Sequence, residues 1–184
     1  VRDLAIQDRD SELVAATHGR GLFAVDIEPL RQMNDTFTPR DGDGDSTKRR
    51  VLQKPMHMFE PKDGILWQMR SRSVAGHKEF RVENPPLGTT VYVHFSEAPK
   101  KAPKVVIKDI AGKTVGSIRG KARAGLQRFV WNAQGRRRQR TQPGAYSATI
   151  EAADGEIVET KTFRLLPDPQ AHDPLRAGST GGNR

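Results

Sequence analysis

VVIKDIAGKTVGSIRG (residues 105–120), then LQRFVWN (126–132), AYSATIEA (145–152) and IVETKTFRL (157–165), decides the fold class of this chain. In AYSATIEA, Tyr146, Ala148 and Ile150 alternate with Ser147, Thr149 and Glu151. That period of two puts an apolar face against a core and a polar face toward water, as in a half-buried strand. Asp154-Gly155 stands between two such segments and supplies the positive φ angles of a tight hairpin. Gly112 does the same between VVIKDI and TVGSIRG. With Val91, Val93 and Phe95 upstream, the segments are enough for a small antiparallel sandwich. Residues 104–165 are therefore expected to be antiparallel β, with Trp131, Tyr146, Ile150 and Phe163 in the core.

Three motifs in this stretch come in a fixed order: Asp109, Gly112 and Val115 in a hairpin, Gly125 and Trp131-Asn132 in the next strand, then Pro143, Gly144 and Tyr146. Over residues 89–167 the order and spacing resemble the bacterial FlgD-type Ig-like module. The resemblance implies an Ig-like sandwich with an accessory role and no catalytic residue.

Working outward to the N-terminus, residues 1–27 read as a three-strand meander: LAIQ, ELVAATH and LFAVDI, with turns at Asp8-Arg9-Asp10 and Gly19-Arg20-Gly21. Three short strands are too few to bury a core alone, so the tail of a larger repeated β structure is expected. ELVAATHGRGLFAVDIEPLRQM (residues 12–33) resembles the last blade of BNR/sortilin-type propellers through Thr17, His18, Gly19, Arg20, Gly21, Asp26, Pro29 and Leu30. That family joins the blade to an Ig-like module through a linker, and the order here is the same. Asp-box repeats are absent from this sequence, and any catalytic carboxylates of a glycosyl-hydrolase-like parent would lie upstream of Val1. Because Val1 falls inside a strand pattern with no signal-peptide signature, the sequence reads as a cut or mature piece.

The expected organisation is thus all-β. Residues 1–30 end a truncated propeller, and 31–79 form a polar linker with a partly packed apolar segment at Met56–Trp67. Residues 80–167 form the Ig-like antiparallel β-sandwich, and 168–184 a mobile tail rich in Pro and Gly.

The 184 residues are 29% charged and 35% hydrophobic, a polar balance that long connections would explain. No apolar run is long enough to span a bilayer. Cysteine is absent, which removes disulfides and thiolate metal sites. The net charge of +9 makes an anionic partner a legitimate candidate. Its bearers are spread over separate connections: Lys48-Arg49-Arg50, Lys100, Lys101 and Lys104, and then Arg136, Arg137, Arg138 and Arg140. Aromatics are 6% of the chain, with none among those arginines to stack on bases. The spread favours a solvated surface that acts diffusely, with Arg136, Arg137, Arg138 and Arg140 as candidate contacts for weak, salt-sensitive adhesion to polyanions.

Asp41-Gly42-Asp43-Gly44-Asp45 has alternating carboxylates like the start of a calcium loop, but Ser46 and Leu52 stand where that loop needs Gly and Glu. Met56-His57-Met58 with Met69 offers soft copper ligands, yet methionine also fills irregular apolar gaps. His77, His94 and His172 show no ligand spacing, and no GxSxG elbow presents a serine. The sequence assigns no catalytic residue, no metal ligand and no cofactor. His18 and Arg20 are candidate contacts, either to a ligand through the imidazole and guanidinium or to backbone carbonyls that close the blade. The expected partners are the upstream propeller of the same polypeptide, a carbohydrate or protein ligand, and polyanions. The propeller resemblance implies an extracellular or periplasmic location.

Overall fold

The computed structural model describes residues 1–19, 21–35, 54–67, 87–135, 141–151 and 157–169. Arg20, the Asp41–Asp45 motif, Lys48-Arg49-Arg50, Met69, His77, Arg136, Arg137, Arg138, Arg140, the Asp154-Gly155 turn and His172 lie outside them.

The protein is all-β, with an Ig-like sandwich at its centre. Strands β1 (Asp3–Gln7), β2 (Glu12–Ala16) and β3 (Leu22–Asp26) form an antiparallel sheet in sequence order. Helix α1 (Glu28–Asp35) follows directly. The Asp26 carboxylate accepts the Glu28 N–H at 3.0 Å, satisfying one of the donors that a helix start leaves open. Pro29 suits the first turn, where a missing N–H costs nothing, and is fully buried.

The sandwich has two sheets. The larger runs β5 (Gly64–Leu66), β11 (Ile157–Pro167), β10 (Gly144–Glu151), β7 (Lys104–Asp109), β8 (Thr114–Arg119). The smaller runs β4 (Met56–Met58), β6 (Thr89–Phe95), β9 (Gly125–Trp131). Every pairing in the sandwich is antiparallel except β5 with β11, which is parallel. Strands β4 and β5 come from the span read as a linker, so the sandwich draws strands from upstream of Phe80. Each is three residues long, too short to show a period in sequence.

The inner faces meet in one core. Val91, Val93, Phe95, Phe129 and Trp131 face Val105, Ile107, Tyr146, Ala148, Ile150, Phe163 and Leu165, with Met58 from β4. Trp131 lies 5.6 Å from Tyr146 and 6.0 Å edge-on from Phe163, between ring centroids. The Tyr146 hydroxyl leaves the apolar core to donate to the Gln142 carbonyl at 2.7 Å. That bond a few residues upstream has the form of an Ig tyrosine corner. Thr149 departs from the expected polar face: it is 2% exposed, and its hydroxyl pairs with Thr160 across the strands at 3.1 Å.

The β7–β8 turn explains the Asp109-x-x-Gly112 spacing. The Asp109 carboxylate accepts the N–H groups of Ala111 and Lys113 at 3.0 and 2.9 Å, while Gly112 takes φ 75°. A side chain there would be strained in the left-handed region.

Candidate functional site

Two features of the described residues stand out: an uncovered sheet face and the seam that holds that sheet to the sandwich. The register across β1, β2 and β3 aligns Leu4, Ala15 and Phe23 in one row and Ile6, Leu13 and Val25 in another. Side chains directly opposite share a face, so all six apolar groups lie on one side. Leu4 is 57% exposed, Ile6 55%, Phe23 63% and Val25 55%. The opposite face carries a further apolar row, Ala5, Val14 and Ala24. That face also carries the polar row Gln7, Glu12 and Asp26, so the continuous apolar face is the one built to be covered.

The seam is built on residues 59–63, between β4 and β5. Gln32 of α1 makes an amide pair with the Glu60 backbone, accepting from its N–H at 2.8 Å and donating to its carbonyl at 3.1 Å. Lys62 Nζ reaches Asp26 Oδ1 at 2.7 Å and also donates to the Asp10 carbonyl. The Lys62 carbonyl accepts from Thr89 on β6 at 2.6 Å. Further on, Glu60 pairs with Lys161 at 2.6 Å and Asp63 accepts the Arg164 N–H at 2.8 Å, both on β11. One connector thus grips the three-stranded sheet, the helix and the sandwich. Asp26 also approaches Tyr92; burial, and then the Asp26 charge, push that phenol above its ordinary value.

Beside the seam lies a groove of about 550 Å³, lined by Asp10, Glu12, Asp26, Glu28, Glu60 and Asp63 with Arg9 and Lys62. Of its acids, Asp10 pairs with Arg9, Asp26 with Lys62 and Glu60 with Lys161, and Asp63 accepts the Arg164 N–H. Burial works to raise the Glu28 carboxyl, but hydrogen bonds from Ser11 and Gln32 and the charges of Lys62 and Arg31 leave it below the usual range. A glycosidase acid needs the opposite shift, and a partner carboxyl free to act. Asp26, Glu60 and Asp63 are held by the bonds of the seam.

His18 stands exposed in the β2–β3 turn. The turn is closed instead by Thr17, whose hydroxyl donates to the Gly21 carbonyl at 3.1 Å and accepts the Gly21 N–H at 3.2 Å. Strand alternation separates the Met56-His57-Met58 set: the two methionines turn inward to the core, while His57 shares the outer face with His94. Within this strand the two thioethers and the imidazole therefore do not converge on one ion. Among the described residues no three His, Asp or Glu side chains group as metal ligands, and no helix is long and apolar enough to cross a membrane. The sequence offered no sign of Gln32 or Lys62 as seam residues, since both read as ordinary polar side chains.

Residues 87–156 match the FlgD Ig-like domain family. The matched span takes in β6 to β10 and excludes β4, β5 and β11. Among solved structures, the chain is similar to PorZ, an essential bacterial surface component of the type-IX secretion system of Porphyromonas gingivalis. Identity there is 14% and the TM-score 0.31, over 89% of this chain and 16% of that chain. No curated protein matches the chain.

Proposed function

We propose that this chain is a non-catalytic structural and binding module at the C-terminal end of a larger propeller protein. In this reading β1–β3 belong to the last blade, and the Ig-like sandwich is held at a fixed angle to it by the Lys62 seam. The observation that carries it is the six-residue apolar face of Leu4, Ile6, Leu13, Ala15, Phe23 and Val25, in which Leu4, Ile6, Phe23 and Val25 are exposed among the described residues. Neighbouring blades of the same polypeptide would bury it, as stacked sheets do at about 10 Å. The BNR/sortilin-like resemblance of residues 12–33 agrees with that, and so does the order of blade, connector and sandwich. An extracellular or periplasmic location follows from the same resemblance. A glycosyl-hydrolase-like activity of the parent, or a carbohydrate or protein ligand, would be served by residues upstream.

The test uses a double substitution, Ile6→Lys with Phe23→Lys. Both positions are exposed here, so the chain alone should keep its sandwich unfolding midpoint and lose binding of a hydrophobic dye. In the polypeptide extended upstream, the same change should lower the melting temperature, because two charges would enter a covered interface. An extended polypeptide indifferent to the substitution would exclude the face as a blade contact.

A further inference from the structure

From Ile110 to Pro143 the sequence contains no acidic residue, while Lys113, Arg119, Lys121, Arg123 and Arg128 lie on its described part. The fold gathers part of this charge with another group that the sequence places elsewhere. Lys104 pairs directly across the strands with Arg119, and the Gly120 N–H donates to the Pro103 carbonyl at 2.8 Å. The loop before β7, with Lys100 and Lys101, therefore lies against the loop after β8, with Lys121 and Arg123. Connections distant in sequence form one end of the sandwich.

The second loop is fixed from inside. Gln127, 3% exposed, turns its amide outward from the core face of β9. It accepts the Lys121 N–H at 3.1 Å and donates to the carbonyls of Lys121 and Arg123 at 2.8 and 2.7 Å. Both of its N–H donors and one lone pair of its oxygen are spent on that backbone. The backbone beneath Lys121 and Arg123 is thus fixed, so binding need order only their side chains and not the loop. Lys104 is matched by Glu151 at 3.0 Å. Lys100, Arg119, Lys121 and Arg123 are exposed and make no ion pair with a described residue. Glu97 is the nearby described acid besides Glu151, and residues 152–156, outside the described set, add Asp154 and Glu156 in sequence.

We infer that the juxtaposed loops carrying Lys100 and Lys101, and Arg119, Lys121 and Arg123, form a docking surface for a linear anionic polysaccharide. Neither loop holds an aromatic side chain to stack on a base, and no helix is presented to enter a duplex groove. Nor does either carry a large apolar residue to insert among lipids; alanine and proline are the apolar types present. The footprint, two adjacent loops, suits a single charged strand rather than the paired backbones of a duplex. This inference is independent of whether β1–β3 continue into a propeller.

The experiment measures heparin and polygalacturonate binding at several salt concentrations, with duplex DNA and phosphatidylglycerol vesicles as comparison arms. Lys121→Ser with Arg123→Ser should weaken polysaccharide binding about tenfold and flatten the salt slope by about two counterions. The charge-preserving pair Lys121→Arg with Arg123→Lys should stay within about twofold of wild type. Arg136→Ser, Arg137→Ser and Arg138→Ser together should also stay within about twofold. Equal loss from both Ser sets, no loss from the loop pair, or tighter binding of DNA or vesicles than of either polysaccharide would overturn the assignment.

Discussion

Lys62 Nζ, on the connector between β4 and β5, lies 2.7 Å from the Asp26 carboxylate at the end of β3. With the Gln32–Glu60 amide pair, this contact joins two parts of the chain that the sequence separates by a polar stretch. Asp26 also starts α1 by accepting the Glu28 N–H, so one carboxylate ties sheet, helix and connector together.

Substituting Lys62→Met keeps most of the aliphatic stem and removes the ammonium. Two acceptors, the Asp26 carboxylate and the Asp10 carbonyl, lose their donor. The expected destabilisation is about 1–3 kcal/mol, the range for an unsatisfied partner of a charged hydrogen bond. A double-mutant cycle with Asp26→Asn in urea denaturation should show coupling of about 0.5–3 kcal/mol. Simple additivity would remove the pair from the seam.

In the core, the indole of Trp131 occupies the space above Gly116. A Cβ at that glycine would lie 2.6 Å from the indole Nε1. Trp131→Ala should cost about 3–5 kcal/mol through lost burial and the cavity left behind. Gly116→Ala should cost about 1–3 kcal/mol by displacing the ring. In a Trp131→Phe background that second penalty should shrink, because the five-membered ring is gone. Denaturation midpoints of Trp131→Ala, Gly116→Ala, Trp131→Phe and the Gly116→Ala, Trp131→Phe double variant check it; an equal Gly116→Ala penalty in both backgrounds would contradict the contact.

Legibility in the sequence followed element length. Trp131, Tyr146, Ile150 and Phe163 sit on strands of seven to eleven residues, long enough for a period of two to be read, and all four are buried. The three-residue strands β4 and β5 carry no readable period, and β5 finds its parallel partner about a hundred residues away, at Leu165. Thr149 looked solvent-facing because alternation assigns a side, while it is buried with its hydroxyl satisfied by that of Thr160 on the neighbouring strand. Charge misled for a similar reason. Lys104 and Arg119 lie on different segments and meet only through strand register. The seam was illegible, since nothing local distinguishes Gln32 or Lys62 from a solvated polar residue.

His57 supplies a pH dependence. Its ring packs edge-on against Phe59 at 4.9 Å, and its Nδ1 is buried without a hydrogen-bond partner. Burial lowers its pKa; Glu159 at 3.8 Å pulls the other way, and Lys54, Lys161 and His94 add to the lowering. The unfolded chain then binds a proton near its ordinary value of about 6.5 while the folded chain still resists it. Stability should be full above that value and fall as pH drops from there toward the lower folded pKa. Urea midpoints at pH 7.5 and 5.5 should therefore differ, and the difference should narrow in His57→Gln. An unchanged difference would place the titration elsewhere.

The proposed completion of the β1–β3 sheet by polypeptide upstream of it predicts a change in amide protection. Native-state hydrogen exchange tests this most directly, because amide protection reports how readily a segment opens. The amides of β2 should exchange in the chain alone far faster than those of β10, which lies in the closed core. In the polypeptide extended upstream, β2 protection should rise by at least about tenfold while β10 stays where it was. Protection of β2 that is already equal to that of β10 in the chain alone, or that does not rise on extension, would contradict the account.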